Sequence, residues 1–218
     1  MKTAMILAAG RGERLKPLTS FKPKPLFTVQ GIPLIEHHLK GLLSAGFERI
    51  VINHAYLGAQ IRQHIFSLPM DKEIIFTPEP PGGLETGGGI VNALPFLGKE
   101  NFLVINADIW TDIDFSTLCM HHSFPAHILL VKKPSFMENG DFGFTTDQLV
   151  ENENREYVFP GVGVYHPSLF NNQPFGRFRL APLLRDLADK KQLSGEIFSG
   201  KWLDIGTKER LSLANNLS

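Results

Sequence analysis

The sequence predicts an α/β protein with a mixed, mostly parallel central sheet flanked by helices. Two observations carry this. Short apolar runs of strand length alternate with longer segments of helical period, the pattern of βαβ units. The 218 residues are 43% hydrophobic and 20% charged, enough apolar sequence to cover such a sheet on both faces.

The first strand is read at Thr3 to Leu7, followed by a loop rich in Gly, Pro and basic residues as far as Lys24. Pro33 suits a helix first turn, and Leu34, Ile35, His38, Leu39, Leu42 and Leu43 form one apolar stripe that Gly46 stops. A strand at Arg49 to Asn53, a short helix at Ala59 to Phe66 and a strand at Glu73 to Thr77 follow. A helix at Thr86 to Leu94 is entered through the glycines after Pro81, and Phe102 to Asn106 is a fourth strand. Beyond Asp108 the alternation loosens, which predicts mixed sheet: strands at Ala126 to Lys132 and Tyr157 to His166, with a shorter one at Phe142 to Thr145. Arg179 to Lys191 has helical period, Glu196 to Leu203 reads as a strand, and Thr207 is a good N-cap for a helix to Asn215. No repeat, linker or low-complexity tract interrupts the chain, so one domain over residues 1–218 is expected.

Composition narrows the function. Lys plus Arg (22) equals Asp plus Glu (22), so the overall field does not steer the protein toward nucleic acid or an anionic membrane, and phosphate binding has to be local. The single Cys119 excludes an internal disulfide framework and a cysteine-based zinc site, and fits a reducing, cytoplasmic setting. No run approaches the roughly 20 apolar residues of a membrane span. The adjacent pairs His37–His38 and His121–His122 lack metal-ligand spacing, and the 17 Phe fall at core spacing without the basic interleaving of a single-strand binder.

The loop after the first strand, Gly10-Arg11-Gly12-Glu13-Arg14, lies where a parallel sheet exposes its carboxyl edge. It is neither a dinucleotide fingerprint, because Leu15 stands at the third glycine, nor a P-loop, because no Gly-Lys-Ser/Thr follows. Arg11, Arg14, Lys16, Lys22 and Lys24 are opposed locally only by Glu13, and glycine amides with cationic heads suit a polyphosphate. Glycines and charges alone also fit a solvated turn. Pro23 and Pro25 restrict the backbone around Lys24, which a merely solvated lysine does not need. Asp108 and Asp204 each follow an apolar run, Phe102 to Ala107 and Trp202-Leu203, and two such carboxylates from distant strands suit a hard divalent cation such as Mg²⁺. Either one alone is more often a turn former. The glycine cluster Gly82-Gly83-Leu84-Glu85-Thr86-Gly87-Gly88-Gly89 lets backbone approach a flat base closely, and is otherwise a flexible loop.

Leu7-Ala8-Ala9-Gly10-Arg11-Gly12-Glu13-Arg14-Leu15-Lys16-Pro17-Leu18-Thr19 with Pro23-Lys24-Pro25-Leu26 closely resembles the signature loop of sugar-1-phosphate nucleotidylyltransferases, Glu13 standing where the family usually has Thr or Ser. Asn106-Ala107-Asp108 and Trp202-Leu203-Asp204-Ile205-Gly206-Thr207 resemble its two metal-binding segments, and Leu84-Glu85-Thr86-Gly87 its base-reading segment with Glu85 in place of Gly. The Glu-Thr-Gly-Gly-Gly variant, together with Ile52-Asn53-His54-Ala55-Tyr56-Leu57, is similar to the uridylyltransferase subgroup that acts on N-acetylmuramate 1-phosphate in peptidoglycan recycling. The resemblance spans essentially the whole chain. It implies the Rossmann-like nucleotide-diphospho-sugar transferase fold, with a nucleotide-binding part over about residues 1–110 and a sugar-phosphate part over about 111–218.

By the same resemblance Lys24, Arg14 and Asp108 are catalytic, and Asp108 and Asp204 hold Mg²⁺. The nucleotide falls to Gly10, Arg11, Gly12, Glu13, Arg14 and Lys24 on one side and to Glu85, Thr86, Gly87 and Asn106 on the other. The sugar phosphate falls to Asp141, Gly143 and Glu151. UTP and N-acetylmuramate 1-phosphate are the implied substrates of a protein acting as monomer or homodimer, without nucleic acid or membrane. Mannose, glucose or N-acetylglucosamine phosphates, another base, or a catalytically silent regulator on the same fold remain the alternatives.

Overall fold

The computed structural model describes residues 2–118, 124–135 and 137–217, so Cys119, His121 and His122 lie outside the described residues. The chain runs β1 (Thr3–Leu7), β2 (Thr28–Val29), β3 (Ile32–Pro33), α1 (Leu34–Ser44), β4 (Arg49–His54), α2 (Gly58–Phe66), β5 (Glu73–Pro78), α3 (Glu85–Leu97), β6 (Phe102–Asn106) and β7 (Ile109–Thr111). It continues through β8 (Ala126–Lys132), β9 (Gly143–Phe144), β10 (Val150–Glu151), β11 (Tyr157–Val158), β12 (Val162–Tyr165), α4 (Leu180–Asp189), β13 (Leu193–Ile197), β14 (Trp202–Asp204) and α5 (Lys208–Asn216).

An eight-stranded sheet forms in the order β11-β8-β12-β6-β1-β4-β5, with β13 also paired to β8. β1, β4, β5 and β6 are mutually parallel, whereas β12 lies antiparallel between β6 and β8. The period of two along the strands divides the core. Ala4, Ile6, Ile50, Ile52, Leu103 and Ile105 face one side with α1 and α2, and Met5, Val51, Phe102 and Val104 face the other with α3 and α4. His38 is part of that core, 2% exposed, as its place in the apolar stripe predicts.

This order sets the position of a cleft. From β1 the chain moves outward to β4 and β5, then crosses back to β6 on the other side of β1. The connections after β1 and β6 therefore diverge at the carboxyl end of β1, the crevice where open α/β sheets bind ligands.

Three element readings need correction. The strand expected over Tyr157 to His166 is two strands, because Pro160 has no N–H for a ladder and Gly161 takes φ +84°. The strand expected over Glu196 to Leu203 is also two, divided by a bend at Gly200: β13 joins the main sheet, whereas β14 pairs with β7. The helix expected at Thr86 to Leu94 runs through Pro95 to Leu97 and stops at Gly98, φ +84°. The short elements β2, β3 and β7 and the 3-10 turns between Glu13 and Leu26 are too brief to show a period. Thr207 caps α5 as expected, its side chain accepting from Arg210 N at 3.3 Å. Among the described residues no helix is long and apolar enough to cross a membrane.

Candidate active site

The loop after β1 is anchored before it reaches the cleft. Ala8 N donates to the Asn53 side-chain oxygen at 2.7 Å, and Ala107 N donates to Leu7 O at 3.0 Å, tying the ends of β1, β4 and β6 together. Gly12 then turns into the left-handed region, φ +67°, where glycine alone is free of strain. Thr19, buried, donates its hydroxyl to Gly12 O at 3.0 Å, and a Cβ on Gly12 would stand 2.8 Å from the Thr19 methyl. The loop is thus held from beneath, and Lys24 leaves it in a short 3-10 turn entered through Pro23.

The basic residues of this loop are less free than their local count suggests. Glu13 takes Lys16, and also Arg11 at 2.9 Å; the Lys16 bond first, then the Arg11 charge, hold its carboxyl below the usual carboxylate range. Arg11 lies 5.2 Å over the Tyr56 ring. Lys24, 5% exposed, places Nζ 2.6 Å from Asp108 Oδ2 and 3.8 Å from Asp204 Oδ1. Arg14 stands 3.7 Å from Asp204 with its guanidinium over Gly206, where a Cβ would meet it at 2.9 Å. The partners of Arg14 and Lys24 thus come from far along the chain, beyond the reach of a local charge count.

The two aspartates meet because β7 and β14 pair. Asp204 is registered against Ile109, and Ile205 N donates to Asp108 O at 2.9 Å. Arg210, in the first turn of α5, donates to Asp204 Oδ2 at 2.7 Å. Two hard carboxylates therefore converge on one cationic group, a donor set suited to a divalent ion. Among the described residues no cluster of three or more His, Cys, Asp or Glu forms, so an ion held there completes its shell with water or phosphate oxygens.

The opposite wall is built on Glu79, just after β5. Its carboxylate accepts from Asn53 Nδ2 at 2.6 Å and from Leu84 N at 2.7 Å, and burial raises its pKa despite both bonds. Gly82 and Gly83 follow at φ +94° and +72° and face the cleft. Glu85 also takes a positive φ, +61°, which accounts for the glycine usual at this position in the resembled family. Its carboxylate is held by Arg177 at 2.9 Å and Arg179 at 3.9 Å. Beneath it, Gly87 N and Gly88 N both donate to Phe178 O, at 3.0 and 3.1 Å, and Phe178 N returns a bond to Leu84 O.

The cleft between these walls has a volume of about 980 Å³. Gly10, Arg11, Gly12, Glu13, Arg14, Lys24, Glu85, Thr86, Asn106 and Asp108 line it, so the structure brings most of the expected nucleotide residues together. Asp204 joins them through Lys24 and Arg14. Gly87 does not line the cleft: its amide is committed to Phe178, and a side chain there would strike the Phe178 ring at 2.3 Å. Asp141, Gly143 and Glu151 also lie off its wall. Asp141 accepts from Phe159 N at 2.9 Å, Gly143 and Glu151 pair across β9 and β10, and Glu151 accepts from Asn154 at 3.1 Å. Sequence reasoning missed Asn53, Tyr56, Glu79 and Arg177 in the lining and Arg210 behind it. Asn53 closes the strand read from the sequence and was open to the same argument as Asp108, whereas Arg177 carries no local signal.

A crevice at the switch point of an α/β sheet, walled by a glycine loop, cationic heads and two converging carboxylates, defines a protein built to handle phosphorylated nucleotides. The chain matches the nucleotidyl transferase family over residues 3–217 and belongs to it. It is 47% identical to the N-acetylmuramate alpha-1-phosphate uridylyltransferase of Neisseria meningitidis serogroup B, an alignment covering 99% of this chain and 97% of that protein. It is 32% identical to the protein of the same name from Caulobacter vibrioides, over 94% of this chain and 92% of that one. The crystal structure of HddC from Yersinia pseudotuberculosis complexed with GMP-PN shares the fold, with a TM-score of 0.78 at 24% identity over 99% and 98% of the two chains. The protein is a nucleotidyltransferase of the nucleotide-diphospho-sugar transferase fold.

Proposed function

We propose that the protein transfers the uridylyl group of UTP to N-acetylmuramate 1-phosphate, giving UDP-N-acetylmuramate and pyrophosphate, a cytoplasmic step of peptidoglycan recycling that uses Mg²⁺. The observation that carries the reaction is the convergence of Asp108, Asp204 and Lys24 at the carboxyl edge of the sheet, with Lys24 Nζ 2.6 and 3.8 Å from the two carboxylates. The choice of acceptor is supported by the two relatives of that name, at 47% and 32% identity.

A phosphate oxygen of the acceptor attacks the α-phosphorus of UTP, and the bond from that phosphorus to the oxygen bridging toward the β-phosphate breaks, so pyrophosphate departs. The attacking oxygen is already anionic near neutral pH, and no general base is required. The residues act instead by placement and by charge. Arg14 and the amides of Gly10 to Gly12 hold the departing pyrophosphate, while Lys24 faces the charge that builds on the transferred phosphoryl group. Asp108 and Asp204 would hold a divalent ion, which would supply charge neutralisation to two phosphates that otherwise repel each other. Glu85 and Thr86, with the Gly82–Gly83 turn, face the nucleoside from the other wall, and the part of the chain beyond about residue 110 serves the sugar side.

The test is pyrophosphate release with Mg²⁺ and UTP, comparing N-acetylmuramate 1-phosphate with N-acetylglucosamine, glucose and mannose 1-phosphates, then repeating with dTTP and GTP. Release confined to UTP and the muramate phosphate is the expected result. Release with another pair keeps the chemistry and overturns the acceptor, and silence with every pair from a folded, nucleotide-binding protein makes it a regulator.

A further inference from the structure

Among the described residues four cationic side chains line the cleft, and three of them sit on the loop after β1: Arg11, Arg14 and Lys24. Those three suit the triphosphate and the reacting phosphates. The fourth, Arg177, comes from the opposite wall, beside Glu85 and away from that loop. Its backbone is pinned on both sides. Phe178 exchanges hydrogen bonds with Leu84, Gly87 and Gly88, and Gly176 O lies so close to Gly88 that a Cβ there would stand 2.0 Å away. The side chain between those fixed points remains 64% exposed to the cleft and is already matched to a carboxylate, with one guanidinium nitrogen 2.9 Å from Glu85 Oε1. Among the described residues Glu85 is its only ion-pair partner, and that bond engages one of five N–H donors. Glu85 holds this position from a left-handed backbone conformation, φ +61°.

An exposed arginine with a fixed backbone and donors to spare fits a second anionic group on the substrate. The acceptor proposed above has one: muramate differs from glucosamine by a lactyl ether whose carboxylate stands apart from the reacting phosphate. We propose that Arg177, oriented by Glu85, is the specificity-determining residue that binds the lactyl carboxylate of the acceptor through its remaining N–H donors. This rests on the reading of the acceptor as N-acetylmuramate 1-phosphate. Glu85 acts here as a positioning residue, keeping the guanidinium fork aimed before the substrate arrives.

The experiment neutralises the two partners separately. Pyrophosphate release is followed with N-acetylmuramate 1-phosphate and with its lactyl methyl ester, for the wild type, Arg177→Gln and Arg177→Lys, with UTP saturating and kcat and KM resolved. The wild type is expected to favour the free acid by about tenfold or more in kcat/KM, mostly through KM, the size of one charge-assisted hydrogen bond lost. Arg177→Gln is expected to lose that preference and Arg177→Lys to regain part of it. A wild type indifferent to esterification overturns the inference and needs no variant to fold. A preference that survives intact in Arg177→Gln overturns it as well; both outcomes leave the proposed reaction standing. A wild type inert with the muramate phosphate but active with another sugar phosphate removes the proposed function, and this inference falls with it.

Discussion

Lys24 shows how a single residue is specified by sequence and finished by fold. Its flanking prolines announce a fixed backbone, but that its ammonium lies against Asp108 and Asp204 follows only from strands 84 and more residues away. Lys24→Met removes the cation between two carboxylates and is expected to lower kcat by about 10²-fold or more, the usual scale for losing one preorganised charge at a reacting centre; initial rates beside a circular dichroism spectrum check it. Asp204→Asn should act on the same centre and raise the Mg²⁺ concentration needed for half-maximal rate, read from a metal titration. His38 gives a separate outcome. Burial, then the charge of neighbouring His37, lowers its pKa from 6.5 to about 4, so between those values the unfolded chain binds a proton that the folded protein does not. Stability is therefore lost as pH falls through that window, by up to about 1.4 kcal/mol per pH unit. Urea midpoints at successive pH values should show the slope, flattened in His38→Leu.

Among the elements, the start of α3 is where composition misled most instructively. Three consecutive glycines suggest backbone laid open to a ligand, yet Gly87 and Gly88 pack against Phe178 and Gly176, and Gly89 leaves space for the Asn53–Glu79 bond, where a Cβ would come within 2.7 Å of both side chains. The glycines serve close contact between pieces of the protein. Gly88→Ala should push the 176–178 segment away, destabilise by about 2 kcal/mol and raise KM for UTP, because the same contact sets the wall that carries Glu85 and Thr86. Thermal unfolding and a UTP titration measure the two effects. The long, buried strands and α1 were legible because their periods extend over several residues. The breaks inside Tyr157 to His166 and Glu196 to Leu203 were marked by Pro160, Gly161 and Gly200, which a reading by apolar run alone passes over. The Glu79 network, the Asp204–Arg210 pair and Arg177 were not legible, since each depends on which elements the topology brings together.

Across the whole molecule, one sheet runs from β5 at one edge to β8 and its partners at the other, and the cleft lies at its middle. The nucleotide and sugar sides proposed for the two halves of the chain thus share strands and core, and unfolding is expected as one cooperative transition by calorimetry, with equal calorimetric and van't Hoff enthalpies. UTP with Mg²⁺ at about a hundredfold over Kd should raise stability by about 2.7 kcal/mol in a concentration-dependent manner, as any ligand of the folded state does. The pairing of β7 with β14 has a kinetic consequence. It closes a loop between Asp108 and Asp204, two residues 96 positions apart, through a ladder of only three residue pairs. Contacts of such high sequence separation form late, because the entropy of closing the loop precedes any gain from the contact. During refolding, the parallel β1–β4–β5 core should therefore recover its helix and strand signal before enzymatic activity returns, and the interval between the two would time the arrival of the second carboxylate.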